Sequence, residues 1–161
     1  MTIFEFAMKM ELDGEKYYRE LAEKNSSPRI RRIFRILAED EVKHYRTLKE
    51  IEKSGKFTME PSRALSEARN IFQDLREKAD PQPTDQSQIE LYRKALEIEM
   101  KSEIFYREKA EEAAEPELRD LLLRLAEEEK KHGLIIGRII DFVSRPDSWI
   151  EEGDFYHLDD L

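Results

Sequence analysis

Cysteine is missing from all 161 residues, so no disulfide framework, thiolate-bound cluster or cysteine-ligated iron can form. Glycine and proline are scarce, five and six, and they gather between segments, which argues for helices over a turn-rich β fold. Long hydrophobic runs are lacking too. The longest, residues 133–140, is short and is interrupted by Arg138, which rules out a membrane span. The start, Met1-Thr2-Ile3-Phe4-Glu5, has no signal-peptide character, so a cytoplasmic protein is expected. There is no basic stripe: lysine and arginine alternate with acids, net charge is -9 and the pI is near 5.0. That charge balance argues against non-specific nucleic-acid binding, and no nucleic-acid partner is expected.

What the chain does have is charge and apolar residues together. Charged residues make up 40% and hydrophobic ones 39%, with a mean hydropathy of -0.77. That balance describes amphipathic helices rather than disorder, and the length suits one domain able to bury its own core.

Sliding the sequence by 88 positions brings two halves into register without a gap. Glu11 meets Glu99, Tyr18 meets Tyr106, Pro28 meets Pro116, Glu41 meets Glu129 and His44 meets His132. A period this long means two copies of one supersecondary unit, and each copy reads as a helical hairpin. The first covers residues 3–53 and the second 86–143, and Pro28 and Pro116 each open the second helix of their pair. Turns this short force antiparallel pairing. Residues 54–85 form a crossover punctuated by Pro61, Pro81 and Pro83, with a helix expected from Ser62 to Lys78. A helix of about 25 residues is roughly 38 Å long, and the crossover spans that distance. The expected fold is all-α: one four-helix domain over residues 1–145, two antiparallel hairpins joined by a long crossover that contains a short helix. The tail, 146–161, carries Trp149, Ile150, Phe155 and Tyr156 among acids and is expected to pack on the bundle or a neighbouring subunit. His157 within it reads as a surface residue.

The functional signal is charge placed where a core should be. In the second helix the apolar stripe runs Ile30, Ile33, Leu37, then Glu41 and His44, then Leu48 and Ile51. In the fourth it runs Leu118, Leu121 or Leu122, Leu125, then Glu129 and His132, then Ile136 and Ile139. Glu11 and Glu99 fall on the stripes of the first and third helices. A lone Glu-x-x-His is common where glutamate is abundant, and its bland reading is a solvated pair. Two such motifs, two symmetric partners and four inward stripes are a different matter. An uncompensated buried ion costs several kcal/mol, and four would rival the roughly 5–15 kcal/mol stability of a domain. Two divalent cations match four glutamates in charge, and imidazole with carboxylate suits iron, manganese or zinc; the arrangement matches that of di-iron carboxylate bundles, which makes iron the expected metal. The expected ligands are Glu11, Glu41, His44, Glu99, Glu129 and His132. Tyr18 and Tyr106, two turns beyond Glu11 and Glu99, either hydrogen-bond a ligating carboxylate of the opposite hairpin or are core tyrosines with satisfied hydroxyls. Glu15 and Glu103 are either extra ligands or acids at the edge of the stripe.

Glu11 with Tyr18, Glu41-Val42-Lys43-His44, Glu99 with Tyr106, and Glu129-Lys130-Lys131-His132 together resemble the rubrerythrin branch of the ferritin-like di-iron carboxylate superfamily. The resemblance implies a ferritin-like bundle in which Glu41 and Glu129 bridge two irons, Glu11 and Glu99 are terminal and each histidine caps one metal. It implies oxidoreductase chemistry of peroxidase type, the reaction of a dinuclear iron site with hydrogen peroxide or O2 in oxidative-stress protection. A ferroxidase, or a non-enzymatic iron-binding or storage protein, is the alternative. Two departures stand out. The cysteine-ligated rubredoxin domain of full-length rubrerythrins is missing, so electrons would come from an external donor such as a separate rubredoxin. Ser102 occupies the position of an extra third-helix carboxylate, with Glu103 as the nearest substitute. A homo-oligomer, a dimer, is the expected assembly.

Overall fold

The computed structural model describes residues 1–78, 86–146 and Trp149. Its helices are α1 (Ile3–Lys24), α2 (Pro28–Ser54), α3 (Ala64–Glu77), α4 (Ile89–Glu112) and α5 (Pro116–Ser144), with a 3-10 turn at Gln86–Gln88 before α4. Among the described residues there is no strand. The chain is therefore all-α, as the periodicity predicts, and no described helix is long and apolar enough to cross a membrane.

Local chemistry sets the helix ends. Thr2 and Glu5 form a reciprocal capping box at the start of α1. Ser27 Oγ accepts from the Ile30 amide at 3.3 Å, and Pro28 takes the first position of α2. Gly55 ends α2 at φ 75, a left-handed conformation that glycine adopts without a Cβ penalty. The two hairpin turns repeat a device that sequence identity did not single out. Arg31 Nη2 donates to the Asn25 carbonyl at 2.8 Å, and Arg119 Nη2 donates to the Ala113 carbonyl at 2.8 Å. Each arginine thereby ties the second helix of its pair to the end of the first.

α1 packs along α2 and α4 along α5, and the two hairpins face each other across the bundle axis. The crossover helix α3 lies over α2 and α5. The core falls into two apolar clusters. One holds Tyr18, Leu21, Ile30, Phe34, Leu37, Tyr92, Ile136, Ile139 and Phe142, with Ile71, Phe72 and Leu75 from α3. The other holds Ala7, Leu48, Ile51, Tyr106, Leu121, Leu122 and Leu125. Each fully buried Leu, Ile or Phe contributes about 1.5–3 kcal/mol, and these two plugs hold the polar middle of the bundle between them.

α3 starts two residues later than the pattern predicts. Ser62 stays outside it because its hydroxyl donates to Asp40 Oδ2 at 2.5 Å while accepting from the Ala64 amide at 3.1 Å. Trp149 is buried edge-on against Phe72 and Phe142, at ring distances of 5.9 and 5.1 Å. Ile150, Phe155, Tyr156 and His157 lie outside the described residues.

Candidate metal centre

Halfway along the bundle, each of the four long helices turns a carboxylate inward. Glu11 from α1, Glu41 from α2, Glu99 from α4 and Glu129 from α5 are all buried to within 3% exposure. His44 and His132, one turn beyond Glu41 and Glu129, are buried with them. One ligand atom each from Glu11, Glu41, His44 and Glu129 lies within 4.8 Å of the others, and the same holds for Glu41, Glu99, Glu129 and His132. Glu41 and Glu129 belong to both sets. The structure thus places two adjacent four-residue nests side by side, sharing two carboxylates.

The geometry follows the sequence repeat. His44 Nδ1 lies 3.2 Å from Glu11 Oε2 and 3.3 Å from Glu129 Oε1. His132 Nδ1 lies 3.2 Å from Glu41 Oε1 and 3.5 Å from Glu99 Oε1. Both rings point Nδ1 at the acids and stack at 5.8 Å with 16° between planes. The tyrosines cross between hairpins: Tyr106 donates to Glu11 Oε1 at 2.5 Å, and Tyr18 donates to Glu99 Oε1. Glu15 and Glu103 are not in the cluster; each pairs with an arginine one turn on, Arg19 and Arg107, at 2.8 Å. Of the run Glu127-Glu128-Glu129, only Glu129 is buried.

Protons are distributed unevenly over the acids. Burial pushes Glu41 and Glu129 well above the usual carboxylate range, and the neighbouring acids push them further. Burial acts on Glu11 in the same sense, but the His44 charge and hydrogen bonds from Glu41, His44 and Tyr106 outweigh it and bring the group to about 2. Glu99 is lowered in the same way, burial being outweighed by hydrogen bonds from Glu129 and Tyr18 and by the His132 charge beside it. Both histidines are raised despite burial, by the carboxylates around them. Without metal, protons on Glu41, Glu129 and the two imidazoles take over the charge compensation that cations would provide.

The cluster's own unsatisfied atoms test whether cations fit. Glu41 Oε1, Glu99 Oε2, Glu129 Oε1 and His132 Nδ1 are buried without a hydrogen-bond partner. Each such atom costs roughly 1–3 kcal/mol if nothing meets it. All four belong to the two nests, and a carboxylate–imidazole donor set of this kind suits iron, manganese or zinc. The residues fit a pair of divalent ions.

One buried acid escaped the sequence reading. Asp40, 1% exposed, accepts from His132 Nε2 at 2.8 Å and from Ser62 at 2.5 Å. Its signal was present: Ile33, Leu37, Asp40, His44, Thr47 and Ile51 continue the inward spacing of three and four. The adjacent Glu41 masks it, because the inward stripe of α2 is wide enough to carry both acids.

The family model described as Rubrerythrin matches residues 2–140 of the chain. Comparison with curated proteins and with solved structures gives no match.

Proposed function

The chain belongs to the rubrerythrin family, and from that premise we propose that it is a di-iron protein that reduces hydrogen peroxide, or reacts with O2, using electrons from an external donor. The observation that carries this reading is the pair of nests sharing Glu41 and Glu129, with buried acceptor atoms and no protein partner for them. Glu41 and Glu129 would each hold both ions, Glu11 and His44 would complete one site, and Glu99 and His132 the other. Two ferrous ions would supply the two electrons that, with two protons, convert hydrogen peroxide to two waters, and a one-electron carrier such as a rubredoxin would restore them.

The protein's own contribution is position and proton control. Tyr18 and Tyr106 are pushed well above their ordinary range, first by burial and then by the carboxylates beside them. They therefore stay protonated and keep donating to Glu99 and Glu11, which fixes the orientation of the two terminal acids. The apolar plugs above and below keep water from the centre. A cleft of about 210 Å³ between α4 and α5, lined by Leu96, Met100, Gly133 and Leu134 together with Glu103 and Lys130, reaches Glu99 and Glu129. It offers a small molecule such as peroxide or O2 a way to the two acids.

Anaerobic purification followed by metal analysis and peroxide titration tests the proposal. About two irons per chain and one peroxide consumed per two electrons are expected. Two bound metals with no consumption of peroxide or O2 would leave a metal-binding bundle without redox function and defeat the proposal.

A further inference from the structure

Although the ligand positions repeat, the support behind the two histidines does not. His132 Nε2 donates to Asp40 across the hairpin interface at 2.8 Å, and Asp40 Oδ2 also accepts from Ser62 at 2.5 Å. Ser62 belongs to the crossover, which is fastened to α2 on either side of that contact. Lys43 Nζ donates to the Pro61 carbonyl at 3.2 Å, and Arg63 Nη2 meets Glu39 Oε2 at 2.9 Å. In the other half, the residue equivalent to Asp40 is Glu128, which is partly exposed and has Lys131 as its ion-pair partner at 3.9 Å. His44 Nε2 has no hydrogen-bond partner among the described residues; its ring contacts are made through Nδ1.

We infer that the Ser62–Asp40–His132 chain makes the two metal positions unequal, so that the nest of Glu41, Glu99, Glu129 and His132 fills first and holds its ion more tightly. The inference rests on the two-metal reading above. The physical reason is orientation. A hydrogen bond from Nε2–H to Asp40 fixes the ring plane and leaves the Nδ1 lone pair facing the acids, and the negative acceptor makes that nitrogen a better donor to a cation. Among the described residues His44 Nε2 has no protein acceptor behind it, so its ring is oriented by packing against His132 and its Nδ1 gains no help from a charged partner on the far side. Asp40 is thus a positioning residue acting through His132, and the crossover sets the order of loading through Ser62.

The test uses the full metal-free chain, titrated anaerobically with Co2+ and followed by visible absorption and calorimetry. Wild type should take up two ions in two separable steps. The tight step should survive His44→Gln and disappear in His132→Gln. Asp40→Asn should weaken that step about 10–100-fold and spare the other, with Ser62→Ala weakening the same step less. Glu128→Gln, at the equivalent position of the second half, should change neither. A readout without metal accompanies these: the His132 Nε2 proton should resonate far downfield and move upfield in Asp40→Asn, where a neutral amide replaces the charged acceptor. Equal weakening of both steps by Asp40→Asn, or a tight step that follows His44, overturns the inference. If wild type takes up fewer than two ions while the downfield proton is present, the two-metal reading itself has failed and the loading order falls with it.

Discussion

The two hairpins of this chain differ less in the residues that face the centre than in what stands behind those residues. Glutamate, tyrosine and histidine recur at matching positions, and even the arginine that ties each turn is repeated. At 40/128 and 14/102 the halves part: Asp40 against Glu128, and Gly14 against Ser102. A duplicated bundle can keep its ligand set symmetric because each half needs the same donors. It differentiates the two positions through neighbours that touch a ligand from one side only.

The largest expected effect comes from the two acids that belong to both nests. Glu41→Ala and Glu129→Ala should each lose at least one metal per chain while far-UV circular dichroism stays helical, since the plugs at either end do not depend on them. Glu11→Ala and Glu99→Ala should lose less. Unchanged stoichiometry in Glu41→Ala would break the shared-ligand geometry.

Next comes proton coupling. Glu41, Glu129, His44 and His132 have folded-state pKa values above their ordinary ones. The stability they contribute is present below the ordinary values and is lost as pH rises through the raised ones. Glu11 behaves oppositely, and its contribution is lost as pH falls from 4.5 towards about 2. The metal-free protein should therefore lose thermal stability as pH rises above the ordinary values of 4.5 for the glutamates and 6.5 for the histidines. Metal affinity should climb over the same interval, because up to about four protons leave as two ions enter. Melting curves with and without Co2+ would show opposite slopes; parallel slopes would contradict the proton-filled centre.

Tyr18→Phe and Tyr106→Phe probe the cross-hairpin symmetry. Each removes a hydrogen bond to a charged, buried carboxylate and should cost about 1.5–3 kcal/mol in urea unfolding. Similar values would mark the two halves as equivalent at this level, and a large difference would extend the asymmetry beyond Asp40. The smallest effect on stability is expected at Gly14. A Cβ there would meet Glu41 Oε2 at 3.1 Å, so Gly14→Ala should displace Glu41 and weaken metal binding. Helix propensity would return up to about 1 kcal/mol of stability. Ser102→Ala, in the other half, should leave affinity nearly unchanged.

Much of this was legible before any coordinates. The stripes through Glu11, Glu41, Glu99 and Glu129 could be read because a 3.6-residue period assigns every position to a face, and prolines marked where each second helix begins. Asp40 was harder to see, since one-dimensional spacing gives a face but not which neighbour occupies it. Its partners, His132 and Ser62, are 92 and 22 residues away. The start of α3 differs from the pattern for the same reason: Ser62 is a fair helix opener locally, but its hydroxyl is taken by Asp40.

By itself the sequence determined the helical class, the duplication, and which acids and imidazoles would have to face inward, because periodicity and the cost of burying charge act along one chain. Only the tertiary structure decided which oxygen meets which nitrogen, which tyrosine serves the opposite hairpin, and which histidine has an anchor behind it. Those contacts join residues far apart in the chain, and their geometry depends on how two hairpins and a crossover settle against one another, a matter of distances of a few ångströms that spacing along a helix does not encode.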